Sequence, residues 1–195
     1  MTDAQARLRE ALKLVGVALK TAGVPFALAG SYALWARGAP EPHHDVDFVV
    51  AESDRDQAAE ILADAGLQVA EPPEDWLFKV YVDDVLVDLL FRLNGDPVTH
   101  ADLADAEEME VESVRLPVLG ATVLIKAKLA ALDERACDLT KVLPAARAVR
   151  EQVDWDDIAE ATADNPFAVV TLDLLARLGV IAPRKGGRQD RSFGV

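Results

Sequence analysis

One cysteine, Cys137, occurs in 195 residues, so no internal disulfide can form, and no Cys/His cluster has the spacing of a zinc site. A chain of this length buries enough apolar surface to fold without either staple, and a reducing, cytoplasmic setting is expected. Long hydrophobic stretches are also lacking: no apolar run approaches the roughly 20 residues of a membrane span, so no membrane partner is expected. The opening Met1-Thr2-Asp3-Ala4-Gln5-Ala6-Arg7 runs directly into charged, helix-like sequence, which argues against a signal peptide. Positive charge is scarce, with 20 Lys and Arg against 34 Asp and Glu and a net charge of −14. Such a surface repels phosphate backbones as a whole, so an RNA partner would need a local basic patch.

What is present reads as mixed α and β structure. Leu8, Leu12, Val15 and Leu19 recur at helical spacing before Gly23 and Pro25, which predicts an amphipathic first helix. Phe26-Ala27-Leu28-Ala29 predicts a short strand closing on a Gly30-Ser31 turn, then a short helix to Arg37 and a breaker-rich loop through Pro42. His44 to Val50 alternates and then becomes wholly apolar, as a strand does on entering a sheet. A helix is expected from Arg55 to Ala65. Strands follow over 76–82 and 85–91, joined by a two-residue turn at Asp83-Asp84 that lacks the usual Gly. The six acids between Asp102 and Glu112 predict a solvated helix and strand edge. After Gly120 the pattern becomes helical, over 122–134, 138–151, 155–163 and 166–178, with Pro144 expected to kink or restart the second of these. A core over 1–120, a helical lobe over 121–183 and a flexible basic tail over 184–195 are the expected units. No internal repeat is visible.

Three features carry chemistry. Asp45 and Asp47 sit two apart on a strand and so share a face, where two carboxylates repel unless a cation lies between them. Mg²⁺ suits carboxylate and phosphate oxygens, which points to phosphoryl or nucleotidyl transfer. Asp88 lies in the otherwise apolar Val85-Leu86-Val87-Asp88-Leu89-Leu90, where an unpaired carboxylate is costly. A metal would compensate it; so would a buried Arg, a backbone donor or an exposed strand face. Gly30 lets backbone approach a phosphate closely, and Ser31 can donate to it, although the dipeptide also suits a plain turn.

Gly30-Ser31, thirteen intervening residues, Asp45-Val46-Asp47-Phe48 and then Asp88 resemble the pattern of the polymerase-β-type nucleotidyltransferase superfamily. Leu124 to Leu132, with Arg135 and Asp138 beyond, is similar to the helical motif of the AbiEii/MenT-like toxins of toxin-antitoxin systems. The resemblance spans about residues 26 to 140. It implies an α/β (α+β) nucleotidyltransferase-type mixed sheet flanked by helices, with a C-terminal helical lobe. It further implies Mg²⁺ or Mn²⁺ on Asp45, Asp47 and Asp88 and a nucleoside triphosphate as substrate, with Gly30, Ser31, Lys128, Arg135 and Asp138 at the nucleotide. Lys128 would contact the phosphates, with Lys126 as its rival. Asp138 would belong to the site or orient a basic partner, and Asp88 would assist deprotonation of the acceptor hydroxyl. The toxin likeness implies an RNA acceptor, first the tRNA 3′ end, and a cognate antitoxin. A cationic small-molecule acceptor of the aminoglycoside kind agrees better with the charge, and a catalytically silent regulatory module is a further alternative.

The chain departs from the toxin pattern at Glu41 and His43, where a basic residue and then Ser or Thr are usual. His43 and His44 are expected to be exposed loop residues. Arg135, Lys141, Arg147 and Arg150 are the candidate basic patch. Trp35, Trp76 and Trp155 are expected to be core or subunit contacts.

Overall fold

The computed structural model describes residues 3–183; the expected tail over 184–195 lies outside the described residues. Helix α1 (Asp3–Ala22) buries Leu8, Ala11, Leu12, Val15 and Leu19 and ends before Gly23. Strand β1 (Phe26–Ala29) leads directly into α2 (Gly30–Ala36), so Gly30 opens the helix itself rather than a separate turn. Strand β2 (Val46–Val50) begins two residues later than expected, leaving His44 and Asp45 in the preceding loop. Helix α3 (Arg55–Asp64) precedes β3 (Gln68–Ala70), a strand the sequence pattern does not announce. Strands β4 (Leu77–Val82) and β5 (Val85–Leu90) form the expected hairpin, and Asp83 takes the positive φ of 52° that Gly would supply. A small hairpin, β6 (Arg92–Leu93) and β7 (Asp96–Pro97), turns on Asn94-Gly95 with φ positive at both.

The acidic stretch forms α4 (His100–Ala104) and β8 (Glu107–Val111), followed by β9 (Val114–Val118). Four helices complete the described chain: α5 (Ala121–Ala130), α6 (Leu139–Val149), α7 (Trp155–Ala161) and α8 (Pro166–Arg177). Helix α5 stops short of residue 134 because the Asp133 carboxylate accepts the backbone N–H groups of Arg135 and Ala136, and this local turn outcompetes the helix. Helix α6 runs through Pro144 without restarting. A proline removes only one ladder bond, and burial of Val142, Ala145, Ala146 and Val149 holds the helix around it.

The main sheet has seven strands in the order β3-β4-β5-β2-β1-β9-β8, parallel at β2·β5 and β1·β9 and antiparallel elsewhere. The acidic β8 is an edge strand, as its composition requires. Helix α1 packs closely on one face: a Cβ on Gly16 would stand 2.9 Å from the Leu116 side chain and 3.5 Å from the Phe48 ring. Phe48 thus points to α1, and its neighbour Asp47 to the opposite face. The buried apolar cluster continues from the sheet into α5, α6 and α8 without a break. Arg37, buried at the seam, donates to the carbonyls of Leu119 (2.6 Å) and Val118 (3.1 Å) and meets Glu107 at 3.2 Å. No helix among the described residues is long and apolar enough to cross a membrane.

Candidate functional site

The site is built where β1 ends beside the start of β2. Ala29 pairs with Asp47, and Asp47 with Asp88 on the parallel β5, which pairs in turn with Lys79 on β4. Register partners point to the same face, so Lys79, Asp88 and Asp47 form a row across the sheet away from α1. Gly30 has φ of 58°, and a Cβ there would lie 1.8 Å from Asp47 Oδ2. The absence of a side chain at position 30 is therefore what allows the Asp47 carboxylate to rest against the backbone, where the Ser31 N–H bonds it. From α5, Lys128 Nζ donates to Ser31 Oγ at 3.0 Å.

The electrostatics of this cluster are unbalanced. Burial, then the charges of Asp88 and Asp45, push Asp47 up to about 6, against the pull of Lys128 and the Ser31 N–H. Lys128 is lowered by its own burial, opposed by Asp47 and reinforced by Lys141. A partly buried acid flanked by two further acids could receive a cation, with Asp45 and Asp47 as the pair free to hold it. Asp88 is engaged otherwise: Lys79 Nζ lies 3.1 Å from its Oδ1. Among the described residues, no three His, Cys, Asp or Glu side chains are grouped so as to hold a metal ion.

Asp47 and Lys128 stand in the wall shared by two cavities. The larger, about 630 Å³, is chiefly apolar, lined by Leu90, Leu93, Leu119, Leu124 and Trp76, with Arg92 also in its wall. The smaller, about 470 Å³, is lined by Ser31, His43, His44, Asp45, Thr140 and Lys141. The structure therefore brings together Gly30, Ser31, Asp45, Asp47 and Lys128, with Asp88 beside Asp47.

Arg135 and Asp138 are exposed and absent from the lining of both cavities; Asp138 caps α6 through Thr140 N and lies 3.7 Å from Lys141. Lys126 points to α7 and meets Asp157 at 3.1 Å. Of the candidate basic patch only Lys141 reaches a cavity; Arg150 pairs with Glu151 and donates to Arg147 O. Glu41 meets Arg9 on α1 at 3.4 Å.

Trp35 packs edge-on against Tyr32, and Trp155 Nε1 donates to Arg150 O. Trp76 is not a core residue, being 43% exposed beside the larger cavity. Lys79 was not anticipated by motif, yet hairpin counting finds it: a two-residue turn at 83–84 pairs 82 with 85 and therefore 79 with 88.

Compared with solved structures, the chain is similar to the antibiotic-resistance factor ANT(2'')-Ia in its solution structure (TM-score 0.62, 17% identity, covering 87% of this chain and 97% of that one). The crystal structure of ANT(2'')-Ia in complex with adenylyl-2''-tobramycin is also similar (TM-score 0.57, 14% identity, 84% and 98% covered). So is an antigenic nucleotidyltransferase-like protein from Paracoccidioides brasiliensis (TM-score 0.52, 10% identity, 86% and 93% covered). No family model and no curated protein matches the sequence. The chain has the nucleotidyltransferase fold: a mixed sheet flanked by helices, as the sequence resemblance implies.

Proposed function

We propose that the protein is an enzyme that transfers a nucleotide from a nucleoside triphosphate to a hydroxyl group of an acceptor. The observation that carries this is the position of Asp47, a partly buried acid held under Gly30 and the Ser31 N–H, in the wall between two cavities that it shares with Lys128. Transfer needs the triphosphate on one side of the reacting phosphorus and the acceptor on the other. The smaller cavity, with Ser31, Lys128 and Lys141, offers the donors and cations for the triphosphate; the larger, apolar one takes the acceptor. The acceptor oxygen bonds to the α-phosphorus, the α–β phosphoanhydride bond breaks, pyrophosphate leaves, and the hydroxyl proton passes to Asp88, the register partner of Asp47. Asp45 and Asp47 would hold a divalent cation, Mg²⁺ or Mn²⁺, which when bound offsets phosphate charge. Lys128 supplies the protein's own positive charge, and Ser31 fixes its ammonium.

The net charge of −14 and a fold shared with ANT(2'')-Ia favour a cationic, hydroxyl-bearing small molecule as acceptor. The Leu124–Leu132 motif favours the second reading, an RNA 3′ end with a cognate antitoxin as partner. The test incubates the protein and Asp47→Asn with each α-labelled triphosphate and Mg²⁺, with total RNA in one set and a panel of aminoglycosides and other cationic alcohols in another. Label on a small molecule, lost in Asp47→Asn, supports the first reading, and label on RNA the second. No labelled product and no pyrophosphate with either set rejects transfer and leaves the silent regulatory module.

A further inference from the structure

On the face of the sheet that carries Asp47, the Lys79 ammonium stands among competing carboxylates. Lys79 Nζ sits 3.1 Å from Asp88 Oδ1, both side chains largely covered, at 23% and 16% exposure. The pair is built in by register, since Lys79 and Asp88 are direct partners on antiparallel strands. Asp88 is in turn the register partner of Asp47, and its charge helps to raise Asp47. A second acid is near: Glu74 acts on the charge of Lys79, and its Oε2 is buried with no hydrogen-bond partner among the described residues. A buried carboxylate oxygen without a donor is costly, so Glu74 is a ready second partner for the ammonium.

We propose that Lys79 is a positioning residue that withholds Asp88 from the Asp45/Asp47 pair in the metal-free protein and passes to Glu74 when a divalent cation draws Asp88 in. This rests on the nucleotidyl-transfer reading above. It accounts for the engagement of Asp88 by a lysine at the position where the fold would otherwise present a third acid, and for the orphaned oxygen of Glu74. The first cation is then held by two carboxylates, and the third is spent only once Lys79 has somewhere to go.

The experiment is Mn²⁺ titration of the full chain without nucleotide, read by the paramagnetic resonance signal of free Mn²⁺, with circular dichroism to verify folding. Lys79→Met, with Lys79→Gln as a second variant should the first fail to fold, frees Asp88 and is expected to tighten Mn²⁺ binding about tenfold, the scale on which outer partners act on metal sites. Lys79→Arg, which keeps the charge, stays near wild type. Asp88→Asn in the Lys79→Met background abolishes the gain. A gain that persists in that double variant is a general charge effect and overturns the proposal, as does a folded Lys79→Met with unchanged or weaker binding. Glu74→Gln is expected to weaken binding in the wild type and to have no effect once Lys79 is Met; an equal loss in both overturns the hand-over. Mn²⁺ binding that needs Asp47 but ignores Lys79 removes only the role of Lys79. A wild type that neither binds Mn²⁺ nor transfers a nucleotide removes the functional reading itself.

Discussion

Asp47 concentrates the tension between stability and chemistry. Its pKa rises from an ordinary value of 3.8 to about 6 through burial and its two acidic neighbours. Between those values the folded protein holds a proton that the unfolded chain has released, so stability falls as pH rises through this window. The full cost, on the order of 3 kcal/mol, is present above about pH 6 in the absence of metal. Asp47→Asn removes it: in EDTA the variant is expected to melt higher than wild type at pH 8, with the difference shrinking toward pH 4, while nucleotidyl transfer is lost. Calorimetric melts at both pH values check this; a variant less stable at pH 8 would make Asp47 a structural residue. Gly30 tests the same contact from the other side. Gly30→Ala places a Cβ where Asp47 Oδ2 lies, at a φ that costs a non-glycine residue about 1 kcal/mol or more. It is expected to displace the carboxylate and weaken Mn²⁺ binding at least about tenfold; wild-type binding in a titration would contradict that geometry.

At the scale of elements, α5 decides which lysine serves the site. Positions 126 and 128 do not share a helix face, so one helix turns Lys128 to Ser31 and Lys126 to Asp157 on α7. Lys128→Ala is expected to weaken nucleotide binding or transfer at least about tenfold, roughly 1.4 kcal/mol, and Lys126→Ala to leave both nearly unchanged. A nucleotide titration with the opposite outcome would reassign the phosphate contact. The end of α5 depends on α8. Asn165 caps α8 by accepting from Phe167 and Ala168, and its Nδ2 donates to the carbonyls of Ala130 (3.1 Å) and Leu132 (2.9 Å). Asn165→Ala therefore opens two helix ends at once, with an expected loss of about 1–3 kcal/mol in denaturant unfolding. Asn165→Asp, which keeps only the acceptor, is expected to recover part of the loss.

For the whole molecule, charge limits the partners: with 34 acids against 20 bases, and only Lys128 and Lys141 among the lysines lining the smaller cavity, no broad basic track faces the site among the described residues. In filter binding at about 0.15 M salt, tRNA without nucleotide is expected to bind more weakly than about 1 µM; tighter binding would restore RNA as first acceptor. Composition, periodicity and local spacing determined much of the rest. The helical repeat of α1, the β4–β5 hairpin and the four C-terminal helices follow from interactions a few residues apart in sequence, and the Gly-Ser and Asp-Val-Asp spacing marked Gly30, Ser31, Asp45 and Asp47 as one group. The sequence pattern did not announce β3, whose three residues carry no alternation, nor the early end of α5, where one Asp side chain outcompetes the helix. Only the tertiary structure decided that Asp88 is answered by Lys79, that Arg135 stands outside both cavities, and that Trp76 stands open beside one of them. These are outcomes of strand order and helix docking, which bring together residues tens of positions apart, and burial then sets the energy of each charge by what surrounds it rather than by its neighbours in the chain.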